Sequence, residues 1–561
     1  MSSQASSSAV PQTNGVNGYT TKSSVDFDAI VIGAGFGGLR MLYELRKQGL
    51  RGKVFEAGSG VGGTWYWNRY PGARTDSESW VYIFTFLEQI GMDWSWKERF
   101  PRQDEVEQYL NQMTDYLDLR KDIQFNSRIA SAHRDEKNNT WKVTTAQGET
   151  FVSKFLISAT GPLATPLKPP FPGLDSFKGE WYQTGLWPKH KVDFSGKRVA
   201  LIGTGATGVQ IVPVLAHTVQ SLTVFQRTPN YVMPARNHPL MEEQMNEIKQ
   251  NYEKVFKRAR GQIYGFDMTD STLMFDQMDS DAKVQRVLEA GWEKGGFRYV
   301  FETFGDILLN PKSNEAASEF VRNKIRAIVN DQETAELLCP DYPIVSKRPP
   351  VGHHYYEAFN RDNVKLVDIK NNPIQEITPT GLKTGTTEYE FDMIIFAIGF
   401  DAITGTLASI DIRGSENQLL GDVLKKDLQT VHGITLPGFP NFFMIFGPQA
   451  PFANGPLIID NTSDWIGKTI AYMKANGHER VEATQDAAKK WSDFTDLLFE
   501  STVIAQSAKD VGAWTVGANV KSKEKRTLFF FGGVPAYIAA VEKEALESYP
   551  SYKFANVAAA A

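Results

Sequence analysis

The sequence predicts an α/β fold made of two Rossmann-type dinucleotide-binding domains with a helical insertion. Two apolar strands each run directly into a glycine-rich turn, and each turn opens an apolar helix. A third stretch, 237–338, is rich in Glu, Lys, Gln, Met and Ala and has few strand signals, which predicts the insertion.

The bulk properties bound this reading. A chain of 561 residues exceeds what one hydrophobic core serves, so two or three domains are expected. With 42% hydrophobic and 22% charged residues it reads as an ordinary globular enzyme. A net charge of −5 and the lack of a basic block argue against a nucleic-acid partner. Cys339 is the only cysteine, which excludes an internal disulfide, a dithiol redox centre and a cysteine-rich metal site. It reads as a small apolar filler. No apolar run reaches bilayer-spanning length. Residues 1–24 are polar and low in large apolar side chains, so they read as a disordered tail without a secretory signal. The expectation is a cytoplasmic protein with no membrane span and no obligate protein partner.

The first strand is Phe27-Asp28-Ala29-Ile30-Val31-Ile32, whose near-continuous apolar run suits a central parallel strand. The turn Gly33-Ala34-Gly35-Phe36-Gly37-Gly38 follows, with Gly33, Gly35 and Gly38 allowing close approach of a pyrophosphate to a helix N-terminus. Leu39, Met41, Leu42 and Leu45 give that helix its apolar stripe. The strand Lys53-Val54-Phe55 then ends at Glu56, placed to bond a ribose 2′-hydroxyl. Trp141–Thr145 and Thr150–Val152, separated by Gln147-Gly148, read as a β-hairpin.

The second unit repeats the design. Val199-Ala200-Leu201-Ile202 leads into Gly203-Thr204-Gly205-Ala206-Thr207-Gly208, with Gly203, Gly205 and Gly208 as the key glycines. Its next strand, Leu222-Thr223-Val224-Phe225-Gln226, ends at Arg227, a cation suited to a 2′-phosphate. Pro213 is expected to kink the second helix. Two nucleotide sites of opposite charge in one chain imply electron transfer between FAD at the first and NADPH at the second.

Two strand ends, Ser158–Pro162 and Phe396–Phe400, carry glycines where chain crossings between domains are expected. The resulting division assigns 25–165 and 395–561 to a FAD domain and 166–236 with 339–394 to an NADP domain, interrupted by 237–338. Thr527–Phe531 reads as a further strand. Gly467-Lys468-Thr469 lacks the first glycine of a phosphate loop, and His353-His354 reads as a packed or surface pair, so no metal site is expected.

The run Gly62-Gly63-Thr64-Trp65-Tyr66-Trp67-Asn68-Arg69-Tyr70-Pro71-Gly72-Ala73-Arg74-Thr75-Asp76 resembles a pattern of Baeyer–Villiger monooxygenases. The resemblance continues through Val224–Pro229, Ser346-Lys347-Arg348-Pro349 and Trp514–Asn519, and Gly447–Asn454 is similar to the cyclohexanone-monooxygenase type. It implies a FAD enzyme that consumes NADPH and O₂, adds oxygen at the flavin C4a and attacks a ketone to give an ester or lactone. By resemblance Arg348 is catalytic and Asp76 orients it. Thr64, Trp65 and Tyr70 lie by the flavin, and Lys347, Thr228 and Trp514 join Arg227 around NADP. Phe452, Ala453 and Gly455 line the ketone pocket.

One position departs from the family. The segment Phe177–Pro188 keeps the family's short signature except that Gln183 replaces its histidine. Glutamine hydrogen-bonds but carries no proton near neutrality, so the expectation is that hydrogen bonding is what the position needs. Two alternatives stay open: a flavin monooxygenase oxidising amine or sulfide heteroatoms, and an inactive flavin- and NADP-binding interaction module.

Overall fold

The computed structural model describes residues 25–86 and 94–556; the expectation for residues 1–24 lies outside them. The first sheet has eight strands. Its order runs Asp411–Arg413, Ile129–Asp135, Thr140–Thr145, Thr150–Ser158, Phe27–Ile32, Gly52–Phe55 and Ile123–Gln124, with Phe442–Met444 also paired to Thr150–Ser158. Phe27–Ile32 sits parallel between two neighbours, and Ala29, Ile30 and Val31 are fully buried, as a strand covered on both faces requires.

The predicted hairpin is present: Thr140–Thr145 pairs antiparallel with Thr150–Ser158. That second strand outruns its hairpin partner, and its far end, Leu156–Ser158, pairs with Phe442–Met444. The pairing delivers the segment that follows Met444 to the carboxyl ends of the sheet, where α/β folds build their sites.

The second sheet is all parallel, in the order Val364–Asp368, Ser221–Gln226, Arg198–Ile202, Met393–Phe396 and Glu180–Gln183. Two chain segments cross between the sheets side by side. Leu167 N donates to Gly399 O at 3.0 Å, Asp401 N to Thr165 O at 2.8 Å and Ile403 N to Pro162 O at 2.7 Å.

The stretch 237–338 holds six α-helices: Glu242–Gln250, Tyr252–Gly261, Asp281–Lys294, Arg298–Phe301, Pro311–Ile328 and Gln332–Leu338. It is tied to the first unit through Glu78, which is fully buried and accepts from Arg99 at 2.8 Å and from Arg298 at 3.1 Å. Removing both guanidinium groups would strand a buried charge, at a cost of about 3–5 kcal/mol.

One element differs from the sequence reading. Thr527–Phe531 is not a strand. Only Phe530 forms a bridge, to Pro451, while Gln449 N donates to Leu528 O and Phe530 N to Ala450 O. The aromatic run that suggested a strand instead fills space between other groups, with Phe529 against Phe452 and Trp514 and Phe530 stacked on Trp491. The helix Ala206–Leu215 includes Pro213 and stops two residues later, so the proline, which cannot donate to the carbonyl of Val209, falls in its last turn.

Candidate active site

The two glycine turns are built alike. Gly33 and Gly203 have φ of +104° and +112°, and a Cβ on them would stand 2.7 Å from Ala159 O and 2.4 Å from Ala397 O, the residues that follow the neighbouring strands. A Cβ on Gly38 would meet Gly33 O at 1.7 Å, and one on Gly208 would meet Gly203 O at 2.2 Å. Helix and strand therefore approach too closely for any side chain at these positions. Gly35 and Gly205 cap the helices Phe36–Lys47 and Ala206–Leu215, neither of which has a side-chain cap or an acid in its first turn. Each helix start is thus left to receive an anion, which is what a pyrophosphate needs.

Glu56 ends the strand after the first turn. Its Oε2 accepts from Ala34 N at 2.7 Å and its Oε1 from Gly58 N at 2.6 Å, and burial pushes its carboxyl up. These bonds fix the carboxylate across the turn, and each oxygen keeps a lone pair for a ribose hydroxyl. Arg227 holds the same place in the second unit but is exposed. Beside it Lys347 is pushed down to about 8, by burial and then by the Arg227 charge. Neither cation has a hydrogen-bond or ion-pair partner among the described residues, so the donor set fits a 2′-phosphate. Thr228 adjoins them, its carbonyl accepting from Thr204 Oγ1 at 3.1 Å.

Arg348 and Asp76, far apart in sequence, form an ion pair with Nη1 and Oδ2 2.8 Å apart. The Asp76 side chain is 4% exposed and that of Arg348 27%, so the carboxylate is enclosed while the guanidinium keeps an open side. Asp76 Oδ2 also faces Val351 N at 3.4 Å, and Asp76 Oδ1 accepts from Gln210 Nε2 at 3.3 Å. Tyr70 donates to Gln210 Oε1 at 2.8 Å, and burial pushes its hydroxyl up to about 12. Tyr82 is likewise pushed to about 12 by burial, with the Trp65 indole edge-on at 5.6 Å. The charges of both Arg348 and Asp76 act on Tyr70 and Tyr82, so the four groups lie near one another. Thr64 is exposed at the start of the short helix Thr64–Trp67.

An aromatic chain leads away from the arginine. Arg348 lies over Phe297 at 5.4 Å, Phe297 touches Phe301, Phe301 stacks on Tyr264 at 4.7 Å, and Tyr264 meets Phe452 at 6.0 Å. Phe452 then meets Trp514, also at 6.0 Å. Between Ala453 and Gly455, Asn454 donates to Val81 O at 2.7 Å and accepts from Ser77 Oγ at 3.1 Å, which pins this segment to the loop beyond Asp76. The segment around Trp514 reaches the cationic pair: Ser507 Oγ and Ser346 Oγ are 2.6 Å apart, and a Cβ on Gly512 would stand 3.7 Å from Arg227 Nη2.

Gln210, Tyr82, Tyr264, Phe297 and Phe301 escape the sequence reading. Gln210 did leave a signal, a lone amide within the apolar run Val209–Val212. Gln183 Nε2 donates to Leu167 O at 2.6 Å, so the amide ties the edge strand to one of the crossings. Cys339 is half-buried, and burial pushes its thiol up to about 11. His353 is half-buried and edge-on to Phe100 at 6.1 Å, and His354 is exposed.

Residues 28–257 match the family model described as flavin-binding monooxygenase-like. A Baeyer–Villiger monooxygenase of Pseudooceanicola batsensis is 39% identical over 95% of this chain and 97% of its own length. The chain belongs to the Baeyer–Villiger monooxygenases. The cyclohexanone 1,2-monooxygenase of an Acinetobacter species is 40% identical over 91% of this chain and 94% of its own. A phenazine N-monooxygenase of Lysobacter antibioticus is 39% identical over 94% and 96%. The crystal structure of OTEMO in complex with FAD and NADP superposes with a TM-score of 0.91 at 39% identity, covering 95% of this chain and all of that one. As in this family, the two Rossmann-type units serve FAD and NADP, and the chain is a flavin-dependent monooxygenase. Among the described residues no helix is long and apolar enough to cross a membrane.

Proposed function

We propose that this Baeyer–Villiger monooxygenase converts a ketone to an ester or lactone at the space bounded by Arg348, Tyr70, Tyr82 and the aromatic wall ending at Phe452. The observation that carries the proposal is the Arg348–Asp76 pair, a guanidinium with one open side held by a buried carboxylate. Bound FAD, reduced by NADPH, supplies the activation of O₂. The Arg348 charge faces the oxyanion that develops on the ketone, and a guanidinium cannot lose that charge at working pH. Asp76 holds the guanidinium plane and partly balances its charge. The Tyr70 and Tyr82 hydroxyls, pushed to about 12, stay protonated near neutrality and donate hydrogen bonds without acting as bases. Arg227, Lys347 and Thr228 hold the 2′-phosphate, and Glu56 holds the FAD ribose. Thr64, Trp65 and Tyr70 border the flavin, Trp514 closes the NADP side, and Phe452, Ala453 and Gly455 shape the ketone pocket.

FAD is assigned to 25–165 and 395–561, NADP to 166–236 with 339–394, and 237–338 serves as the helical insertion that supplies Tyr264, Phe297 and Phe301. A cytoplasmic protein acting without an obligate partner completes the proposal. The phenazine N-monooxygenase relative favours N-oxidation as a second reading. Purified holoprotein given NADPH, air and a mixture of cyclic, linear and aryl ketones, a thioether and an N-heteroaromatic separates the two by product. Esters or lactones are expected; N-oxide or sulfoxide without any ester would overturn the proposal.

A further inference from the structure

Gln210 is 5% exposed and sits on the helix Ala206–Leu215, whose N-terminus forms the second dinucleotide turn. Every polar atom of its side chain reaches out of that unit. Nε2 donates to Arg74 O at 3.1 Å and to Asp76 Oδ1 at 3.3 Å, and Oε1 accepts from Tyr70 at 2.8 Å. All three partners lie on one loop of the first unit. The backbone there is equally close: Gly72, with φ of +83°, would place a Cβ 2.3 Å from Gln210 O. Thr207, within the phosphate turn itself, stands beside the same Tyr70 hydroxyl.

Asp76 has two oxygens and two tasks. Oδ2 meets Arg348, and Oδ1 is held by Gln210. A carboxylate gripped at one oxygen only can rotate about χ2, a broad torsion, and would carry the arginine with it. The amide removes that freedom.

We propose that Gln210 is a positioning residue: it fixes Asp76, and through Asp76 the guanidinium of Arg348, to the helix that receives NADP. The inference rests on the ketone reading for its catalytic consequence, but its structural half stands alone. Binding at the turn then sets the placement of a helix to which the Arg348–Asp76 pair is directly bonded. Such a bond is one physical link by which occupancy of one nucleotide site reaches the reacting centre of the other.

Two variants separate positioning from packing. Gln210→Glu keeps an acceptor for Tyr70 but turns an acceptor toward Asp76, whereas Gln210→Leu removes every bond. In folded, FAD-containing protein both should lower ester formed per NADPH consumed by about tenfold or more, with the balance appearing as hydrogen peroxide, while the KM for NADPH changes less than about threefold. Wild-type yield from Gln210→Glu would overturn the proposal, since Tyr70 anchoring alone would then suffice. A second readout needs no ketone. Thermal unfolding of the holoprotein is measured for Gln210→Leu, Asp76→Ala and the double variant. The double variant should lose measurably less than the sum of the two single losses, because the Gln210–Asp76 bond is shared and can be lost only once. Strictly additive losses would overturn the link even if the wild-type enzyme proved to oxidise something other than a ketone.

Discussion

Glu56 and Arg227 stand at equivalent ends of the strands that follow two equivalent turns and carry opposite charges. Glu56 is enclosed and doubly bonded to backbone amides, whereas Arg227 is exposed and, with Lys347, has no anionic partner among the described residues. Replacing Arg227 with Ala should raise the KM for NADPH by about ten- to a hundredfold, equivalent to about 1.4–2.8 kcal/mol, and leave that for NADH nearly unchanged. Steady-state kinetics with both nucleotides checks this; equal losses for the two would mean that Arg227 serves the fold and not the phosphate.

Lys347 gives the same site a pH dependence. Burial lowers its ammonium to about 8, while the unfolded chain keeps that proton to about 10.4. The charged form is the one penalised, so without nucleotide this residue's contribution to stability rises with pH between those values. A 2′-phosphate needs the charge, so binding takes up a proton in that window. The NADP⁺ dissociation constant should rise about tenfold from pH 8 to pH 9.5, and that of NAD⁺ should not follow it. Titrations of both nucleotides across this range provide the comparison.

The two third glycines separate the nucleotides. A methyl on Gly208 would lie 2.2 Å from Gly203 O, which forces the second helix off its strand. Gly208→Ala should retain FAD and lose most NADPH-dependent flavin reduction, while Gly38→Ala, at 1.7 Å from Gly33 O, should not retain FAD. Flavin absorbance of the purified variants, before and after NADPH, reports both.

Gln183 replaces a family histidine yet bonds Leu167 O at 2.6 Å. If the bond is what matters, Gln183→His should leave ester yield per NADPH within about twofold of wild type, and Gln183→Leu should lower it several-fold. A many-fold gain from the histidine variant would show that a titrating ring is needed there.

Much of this was legible in the chain because it is local. The glycine turns, Glu56, Arg227 and the helical insertion follow from spacing and periodicity over short windows, and the structure contains each turn and helix set so predicted. The site was less legible because it is assembled from distant parts. Asp76 and Arg348 were named through resemblance, and nothing in their spacing shows that they meet. Nothing in the sequence marks Phe297 and Phe301, which take their place beside Arg348 only because the insertion docks through Glu78 and Arg298. Thr527–Phe531 misled for a related reason: β-propensity reports aromatic content, and here the aromatics fill a junction between segments.

The central claim is that Arg348, held by Asp76, directs oxygen insertion into a ketone. It is tested most directly by reacting wild-type and Arg348→Ala holoproteins with NADPH, a ketone panel and ¹⁸O₂, and measuring label in the products. The account predicts ester or lactone carrying one ¹⁸O atom from wild type. It predicts a loss of at least about a hundredfold in that product from Arg348→Ala, while FAD content and NADPH oxidation persist. Labelled ester formed at wild-type yield by Arg348→Ala, or no labelled ester from any ketone with the wild-type enzyme, would contradict it.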